Sequence, residues 1–138
     1  MSGSPEPVQS ATAGAVRAER LSVRLGDRMA IREITATLER GTTVVVVGRN
    51  AAGKTTLLRS IGGILRPTEG GVTWDGRPPS SWSARERAKR VAYVAQRPAL
   101  SVRFSVRETI ELGRYALVED ARRIDGAIGA FGLEAIAA

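Results

Sequence analysis

The 138-residue chain contains no cysteine and no histidine. Without cysteine, the chain can form neither disulfides nor thiolate-bound metal sites. Without histidine, any mechanism that needs an imidazole base or a histidine metal ligand cannot be completed by this chain alone. Aromatic residues make up only 4% of the sequence, which is too few for a platform on which single-stranded nucleic acid could stack.

Long hydrophobic runs are also missing. No apolar run approaches the roughly 20 residues that span a bilayer. The first fifteen residues are rich in Ser, Pro, Gly and Ala, and they lack the basic start and apolar segment of a secretory signal. We therefore expect a disordered tail over residues 1–16, and a soluble, cytoplasmic protein unless a partner holds it at a membrane.

The composition that is present fits one globular domain at most, with 43% hydrophobic residues. The net charge of +7 raises the possibility of nucleic-acid binding. However, Arg outnumbers Lys by 19 to 2, and the arginines are scattered from Arg17 to Arg123. Because no basic patch is concentrated in one segment, we expect no nucleic-acid partner.

The most informative segment runs from Gly48 to Thr56, with the sequence GRNAAGKTT. It fits G-x-x-x-x-G-K-[ST], a loop that cradles phosphates between a strand and a helix. The run from Thr42 to Val47 predicts that strand, and the residues from Lys54 onward predict the helix. A glycine-rich turn without a ligand is the alternative, but it gives no reason for Lys followed by Thr at the helix start.

The residue types of this loop suit a nucleotide's phosphates. Gly48 and Gly53 lack a Cβ, so we expect positive φ and a close backbone approach at both. Successive N–H groups then form an anion-binding nest at the positive end of the helix. The residues between the two glycines contribute mainly backbone donors: Arg49, Asn50, Ala51 and Ala52.

Three side chains complete the predicted site. Lys54 brings a full positive charge to the β- and γ-phosphates. The Thr55 hydroxyl is placed to bind Mg²⁺, and Thr56 could donate a hydrogen bond to the α-phosphate. The pattern therefore predicts a site for a nucleotide with Mg²⁺.

The remaining pattern predicts alternating strands and helices. Buried-type apolar runs favour parallel strands at Val44–Val47 and Val91–Val94. Two capping boxes start helices at Ser83 and Ser105. The predicted strands are Val16–Leu25, Met29–Leu38, Thr42–Val47, Val72–Trp74 and Val91–Val94. The predicted helices are Lys54 to about Leu65, Ser83 to about Lys89, Ser105 to about Arg114, and one from Asp120 with Ile124, Ala127, Ile128 and Phe131 on one face.

From Leu21 to Ala138 the chain resembles the N-terminal half of an ATP-binding-cassette (ABC) nucleotide-binding subunit. The matching pieces, in order, are Ile34–Gly41, the phosphate loop continuing through Leu57–Leu65, Pro67–Val72 with Asp75-Gly76, and Val91–Gln96 as the Q-loop. A finer resemblance, over Arg87–Gln96 and Phe104–Tyr115, is to importers of iron–siderophore complexes, haem or cobalamin.

The resemblance implies an α/β fold: a P-loop NTPase (RecA-like) core, an N-terminal antiparallel β-subdomain and the start of a helical subdomain. It implies ATP and Mg²⁺ as cofactors, and it gives Gln96, beside Lys54, a catalytic role. A lone Gln after a strand would be a solvated loop residue. In the family position, Gln96 contacts Mg²⁺ and the attacking water and links the site to the membrane partner.

The resemblance also implies partners: transmembrane permease subunits, a second ATP-binding subunit forming a dimer, and indirectly a substrate-binding protein. The protein would then lie at the inner face of the plasma membrane. The chain departs from the family pattern in two respects. Leu25 stands where the family has an aromatic residue that stacks on adenine. Residues 17–138 also form only a partial domain, which ends before the signature motif, the Walker B aspartate, the catalytic glutamate and the switch histidine.

In the family the Walker B strand lies beside the phosphate-loop strand. We therefore expect Val44–Val47 to present an unpaired apolar edge, and the 138 residues alone to be poorly stable and without appreciable ATPase activity. The segment Ala116–Asp120 imitates Walker B only weakly and is interpreted as the start of the last helix. The alternatives are a nucleotide-binding regulatory module that never hydrolyses, a soluble ABC protein acting on ribosomes or DNA, and, less favoured, a P-loop kinase.

Overall fold

The computed structural model describes residues 15–96, 104–117 and 120–137. The chain forms two compact units, Met1–Trp82 and Ser83–Ala138, which are described here one at a time. Most of the predicted N-terminal tail lies outside the described residues. Its last two positions belong to the first unit, because Ala15 is buried and Val16 begins the first strand.

The first unit contains a three-stranded antiparallel sheet of β1 (Val16–Leu25), β2 (Arg28–Leu38) and β3 (Glu69–Trp74), in the order β2-β1-β3. This confirms the predicted antiparallel β-subdomain, and β1 has the predicted bounds. Alternating apolar side chains form the core of the sheet, which consists of Ala18, Leu21, Val23, Ile31, Val72 and Trp74.

The third strand begins three residues earlier than predicted. Its first residues include Gly70, with φ of +68°, and a Cβ there would overlap the carbonyl oxygens of Glu19 and Arg20. Glycine therefore lets β3 approach β1 closely at a point where any other residue would push it away. The close approach makes Gly70 and Gly71 part of the strand.

Side-chain hydroxyls repair the hydrogen bonding where β1 and β2 are irregular. The pairing of the two strands shifts register between Ala18 and Leu21 and again between Leu21 and Val23. Amide groups that leave the regular ladder at such bulges need another acceptor. Two hydroxyls serve as acceptors there: Thr35 for Arg20 (3.1 Å) and Ser22 for Glu33 (2.9 Å). On the other side of β1, the Thr68 hydroxyl, directly before β3, accepts from the Arg24 amide at 2.9 Å.

Asp75 and Gly76 form a tight turn directly after β3. Both residues have positive φ, 51° and 76°, as a two-residue hairpin turn requires. Trp74 and Arg77 exchange two backbone hydrogen bonds across it, of 2.8 and 3.0 Å. The turn holds the Trp74 indole where its Nε1 donates to the Ile61 carbonyl at 2.9 Å.

The two runs predicted as buried parallel strands are not strands in the described structure. Neither Thr42–Val47 nor Val91–Val94 pairs with another segment among the described residues. Val45 and Val47 are 76% and 87% exposed, and Val94 is also exposed. Burial on both faces is therefore wrong for this chain, because a strand needs neighbouring strands to supply hydrogen bonds and cover its side chains. Val44, Val45 and Val47 are exposed and unpaired, as expected, but they form no strand edge.

The phosphate-loop helix, α1 (Lys54–Ile61), is shorter than predicted and ends before Gly62. Gly63 has φ of +67°, and a Cβ there would lie 2.9 Å from both Pro79 and the Trp74 ring. The glycine pair thus ends the helix and lets the chain pass close to the tryptophan. A short 3₁₀ turn follows at Pro79–Ser81.

The second unit contains α2 (Ala84–Arg90), α3 (Val106–Gly113), α4 (Ala121–Ala130) and a 3₁₀ turn, Glu134–Ile136. Its small core consists of Ile124, Ile128 and Ala137, packed against Ile110 and Leu133. Phe131, predicted on the apolar face of α4, is 79% exposed because the helix ends at Ala130. No helix in the described ranges is long and apolar enough to cross a membrane.

Both predicted capping boxes are confirmed, at Ser83–Glu86 and Ser105–Glu108. In the second, the Ser105 hydroxyl accepts from the Glu108 amide at 3.2 Å, and the Glu108 carboxylate accepts from the Ser105 amide at 2.7 Å. The Ser105 amide, and after it the Ser105 hydroxyl, donate to the carboxylate and favour its ionised form. They hold the pKa of Glu108 below its ordinary value of 4.5.

This depressed pKa predicts a pH dependence for α3. A carboxyl group whose pKa is lower in the folded state stabilises the fold above its unfolded pKa, and that contribution disappears as the pH falls through the folded value. We expect amide hydrogen exchange in α3 to accelerate as the pH falls below 4.5, after correction for intrinsic exchange. Glu108→Gln should remove this acceleration, whereas Glu111→Gln on the same helix should keep it. An unchanged pH profile in Glu108→Gln would contradict the assignment.

Candidate functional site

The segment between the exposed valines and α1 forms a compact loop in the first unit. Gly48 to Ala52 are exposed, and Gly53 is the N-cap of α1 with φ of +88°. Positive φ at Gly53 is as predicted, but Gly48 does not have it. Instead Ala51 has φ of +62°. The left-handed turn of the loop therefore lies at Ala51, where the sequence pattern gives no glycine to indicate it.

Gly53 is fixed by its contact with β2. A Cβ at this position would overlap the Ala30 carbonyl oxygen and lie 2.8 Å from Ile31 Cγ2. The end of the loop is therefore pressed against the start of β2, and only glycine fits both the space and the backbone conformation. This contact sets the position of the N-terminal end of α1.

Lys54 folds back over the loop. Its Nζ donates to the carbonyl oxygens of Gly48 and Arg49, both at 2.7 Å. The Ala52 amide donates to the same Arg49 carbonyl at 3.2 Å. The ammonium group is thus held at the loop by its own backbone, on a flexible side chain that can exchange carbonyl oxygens for phosphate oxygens.

The first turn of α1 leaves backbone donors available. The first helical hydrogen bond is from the Leu57 amide to the Gly53 carbonyl at 2.8 Å. Within the described residues, the amides of Lys54, Thr55 and Thr56 have no backbone or side-chain acceptor, and the first turn contains no acidic residue. Free N–H groups at the positive end of a helix, beside a lysine, form a site suited to an anion such as phosphate.

The two threonines place hydroxyl groups at the same helix end. Thr55 is exposed and Thr56 is half-buried, and neither hydroxyl has a hydrogen-bond partner in the described part of the chain. A hydroxyl oxygen that is free of protein partners fits the oxygen-ligand preference of Mg²⁺. In the described ranges, no three Asp or Glu side chains converge as a metal site. The residues present fit a cation that reaches the loop with a phosphate ligand.

Arg28 makes a contact with the phosphate loop that the sequence did not indicate. It is the first residue of β2, after the Gly26-Asp27 turn, and its Nη2 donates to the Ala51 carbonyl at 3.0 Å. Its pairing partner across the turn is Leu25, which is 48% exposed. The β1–β2 turn therefore lies beside the phosphate loop, and it presents an aliphatic side chain where the resemblance implies the base.

Gln96 lies in the second unit and is exposed. It is the last described residue before residues 97–103, which lie outside the description. The structure thus brings the predicted loop residues together in one unit: Gly48, Arg49, Asn50, Ala51, Ala52, Gly53, Lys54, Thr55 and Thr56. The role given to Gln96 stays a prediction.

Comparison with known proteins agrees with the resemblance. The ABC transporter family model matches residues 31–138. The chain is 40% identical over 100 residues to the hemin import ATP-binding protein of Rhodopseudomonas palustris, covering 72% of this chain and 37% of that protein. It is 35% identical over 101 residues to the probable siderophore transport system ATP-binding protein of Bacillus subtilis, covering 73% and 37%.

The fold has a solved counterpart described as the ATP binding subunit of an ABC transporter. The TM-score is 0.75 at 25% identity, over 88% of this chain and 52% of the other. The chain thus spans less than two fifths of the two curated relatives and about half of this structural neighbour. With the family match covering well over half of its residues, the chain belongs to the ABC transporter family, in the part that contains the phosphate loop of an ATP-binding subunit.

Proposed function

We propose that this chain is the nucleotide-binding part of an importer's ATP-binding subunit, which binds Mg–ATP through Gly48–Thr56 to power uptake. The observation that supports this most directly is the geometry of the loop. Lys54 lies over the loop carbonyls, and the first amides of α1 lack protein acceptors. Within the ABC transporter family, the phosphates of ATP are the anion that this arrangement serves.

The three side chains at the start of α1 have distinct roles in this proposal. The ammonium group of Lys54 leaves the carbonyls of Gly48 and Arg49 and contacts the β- and γ-phosphates. The Thr55 hydroxyl would hold Mg²⁺, a role that the family resemblance also implies for Gln96, and the bound ion would neutralise phosphate charge. Thr56 donates to the α-phosphate. Because the loop backbone is already shaped by Gly53, little ordering is needed when ATP binds.

Leu25 contacts the base in this proposal. An exposed aliphatic side chain provides apolar contact but no aromatic stacking. Base contacts then contribute little to affinity, and the triphosphate contributes most of it. Weak discrimination between ATP and GTP follows from this arrangement.

The partners belong to the proposal as well. Two ATP-binding subunits would sandwich two ATP molecules, and each would couple to a permease subunit at the cytoplasmic face of the membrane. A hemin or iron–siderophore cargo is supported by the named relatives, which share 35–40% identity with this chain. Cargo specificity would lie in the permease and the substrate-binding protein. The 138-residue polypeptide alone would bind ATP without hydrolysing it.

A series of binding measurements tests the nucleotide site, and an uptake assay tests the importer role. By titration calorimetry the chain should bind Mg–ATP and Mg–GTP with similar affinity, and AMP at least about tenfold more weakly, because AMP lacks the phosphates that Lys54 contacts. Equal affinity for AMP and ATP would contradict the phosphate site. Inactivating the gene should reduce uptake of hemin or of an iron–siderophore complex. Unchanged uptake of both would contradict the importer role.

A further inference from the structure

We propose that Arg28 is a positioning residue for the phosphate loop: its guanidinium group, at the start of β2, holds the loop in the conformation that binds phosphate. This inference rests on the proposed nucleotide-binding function. It concerns a residue outside the loop motif, 23 positions before the carbonyl that it contacts.

The first observation is the carbonyl that Arg28 contacts. The acceptor is the oxygen of Ala51, a residue with φ of +62°. The left-handed region is unfavourable for a residue with a Cβ, so it needs support from its surroundings. A hydrogen bond from a charged donor is stronger than one between neutral groups. Arg28 is the side chain that gives this support at the oxygen of Ala51.

The second observation is a chain of contacts from Arg28 to Lys54. The Ala51 carbonyl and the Ala52 amide belong to one planar peptide group, so fixing one orients the other. The Ala52 amide donates to the Arg49 carbonyl at 3.2 Å, and that carbonyl also accepts from Lys54 Nζ at 2.7 Å. One peptide plane and one turn therefore connect the guanidinium of Arg28 to the lysine that contacts phosphate.

The third observation is that the start of β2 contacts the loop at a second point. Gly53 lies against Ala30 and Ile31 so closely that a Cβ would overlap the Ala30 carbonyl oxygen. Arg28 and Ala30 are therefore two fixed points on one strand, and they hold both ends of the Ala51–Gly53 segment. If the Arg28 contact is lost, the contact of Gly53 with Ala30 still defines the position of α1. The peptide between Ala51 and Ala52 then becomes free to rotate.

Arg28→Met tests the proposal because it keeps most of the side-chain length and removes the charged donor. We expect it to weaken binding of Mg–ATP and of inorganic triphosphate by the same factor, about tenfold. Arg28→Lys, which restores a charged donor, should recover most of the affinity. The thermal unfolding midpoint without ligand should change little, which separates positioning of the loop from general destabilisation.

Arg32→Met is the matched control. Arg32 is also exposed on β2, and in the described part of the chain its side chain makes no hydrogen bond or ion pair. The Arg32→Met variant loses the same charge, and its affinity for Mg–ATP and for inorganic triphosphate should stay within about twofold of that of the unaltered chain. Equal weakening by both variants would overturn the proposal, since it would show that only net charge matters.

Three other results discriminate further. If Arg28→Met weakens ATP binding but leaves triphosphate binding unchanged, Arg28 acts on the base and the proposal is overturned. If Arg28→Lys folds but binds triphosphate no better than Arg28→Met, a charged donor is not what positions the loop, and the proposal again fails. If the unaltered chain is folded by circular dichroism but binds neither ATP nor triphosphate, the proposed function itself is wrong, a result distinct from normal binding by Arg28→Met.

Discussion

Replacing Lys54 by alanine should lower the affinity for Mg–ATP by at least about a hundredfold. The substitution removes the charge that contacts the β- and γ-phosphates, and a hydrogen bond to a charged group contributes roughly 1.5–3 kcal/mol. It also removes the two bonds, of 2.7 Å each, that tie the loop carbonyls of Gly48 and Arg49 together. A hundredfold loss corresponds to about 2.7 kcal/mol, which titration calorimetry resolves readily.

The chain provides a charge-matched control for this experiment. Its only other lysine, Lys89, is exposed on α2 in the second unit, so Lys89→Ala changes the net charge equally and should leave affinity close to normal. Similar losses in the two variants would contradict a specific role for Lys54. In the complete protein, Lys54→Ala should abolish ATP-dependent uptake, and normal transport would argue against the proposed function.

Replacing Gly53 by alanine should have the largest effect on stability. The residue has φ of +88°, and a Cβ would overlap the Ala30 carbonyl oxygen and lie 2.8 Å from Ile31 Cγ2. Left-handed strain costs about 1–2 kcal/mol, and displacing backbone in a packed contact adds about 1–3 kcal/mol. We therefore expect the unfolding midpoint of the first unit to fall by roughly 10 °C or more in scanning calorimetry.

Gly48→Ala is the control for this packing argument, because it tests whether any substitution in the loop destabilises the protein. A Cβ at Gly48 would lie 3.6 Å from the Cβ of Ala52, an ordinary contact, and Gly48 has no positive φ. Stability should change by less than about 1 kcal/mol. Equal destabilisation by both substitutions would show that the contact between Gly53 and β2 is not what fixes the loop.

Local rules explain what could be predicted from the sequence. β1 has the predicted bounds, and the capping boxes at Ser83 and Ser105 form as their spacing requires. A capping box depends on residues three positions apart, and a two-residue turn depends on two dihedral pairs, so the sequence contains nearly all the relevant information. The phosphate loop and the family resemblance could be recognised for the same reason, since the loop and each piece of the resemblance are short contiguous motifs.

Contacts between distant segments explain what could not be predicted. The valines of Val44–Val47 have strong strand propensity, but a strand forms only where another segment supplies its hydrogen bonds. The hydrogen bond from Arg28 to Ala51 spans 23 positions and leaves no pattern in a single sequence. The positive φ of Ala51 is equally hidden, because alanine is not a residue type that favours the left-handed region.

Trp74 has a practical consequence for studying this protein. The chain contains two tryptophans, Trp74 and Trp82, and both lie buried in the first unit. The Trp74 indole donates to the carbonyl of Ile61, the last residue of the phosphate-loop helix. Both intrinsic tryptophan fluorophores therefore belong to the first unit. A shift of α1 when nucleotide binds should change the emission without an attached dye.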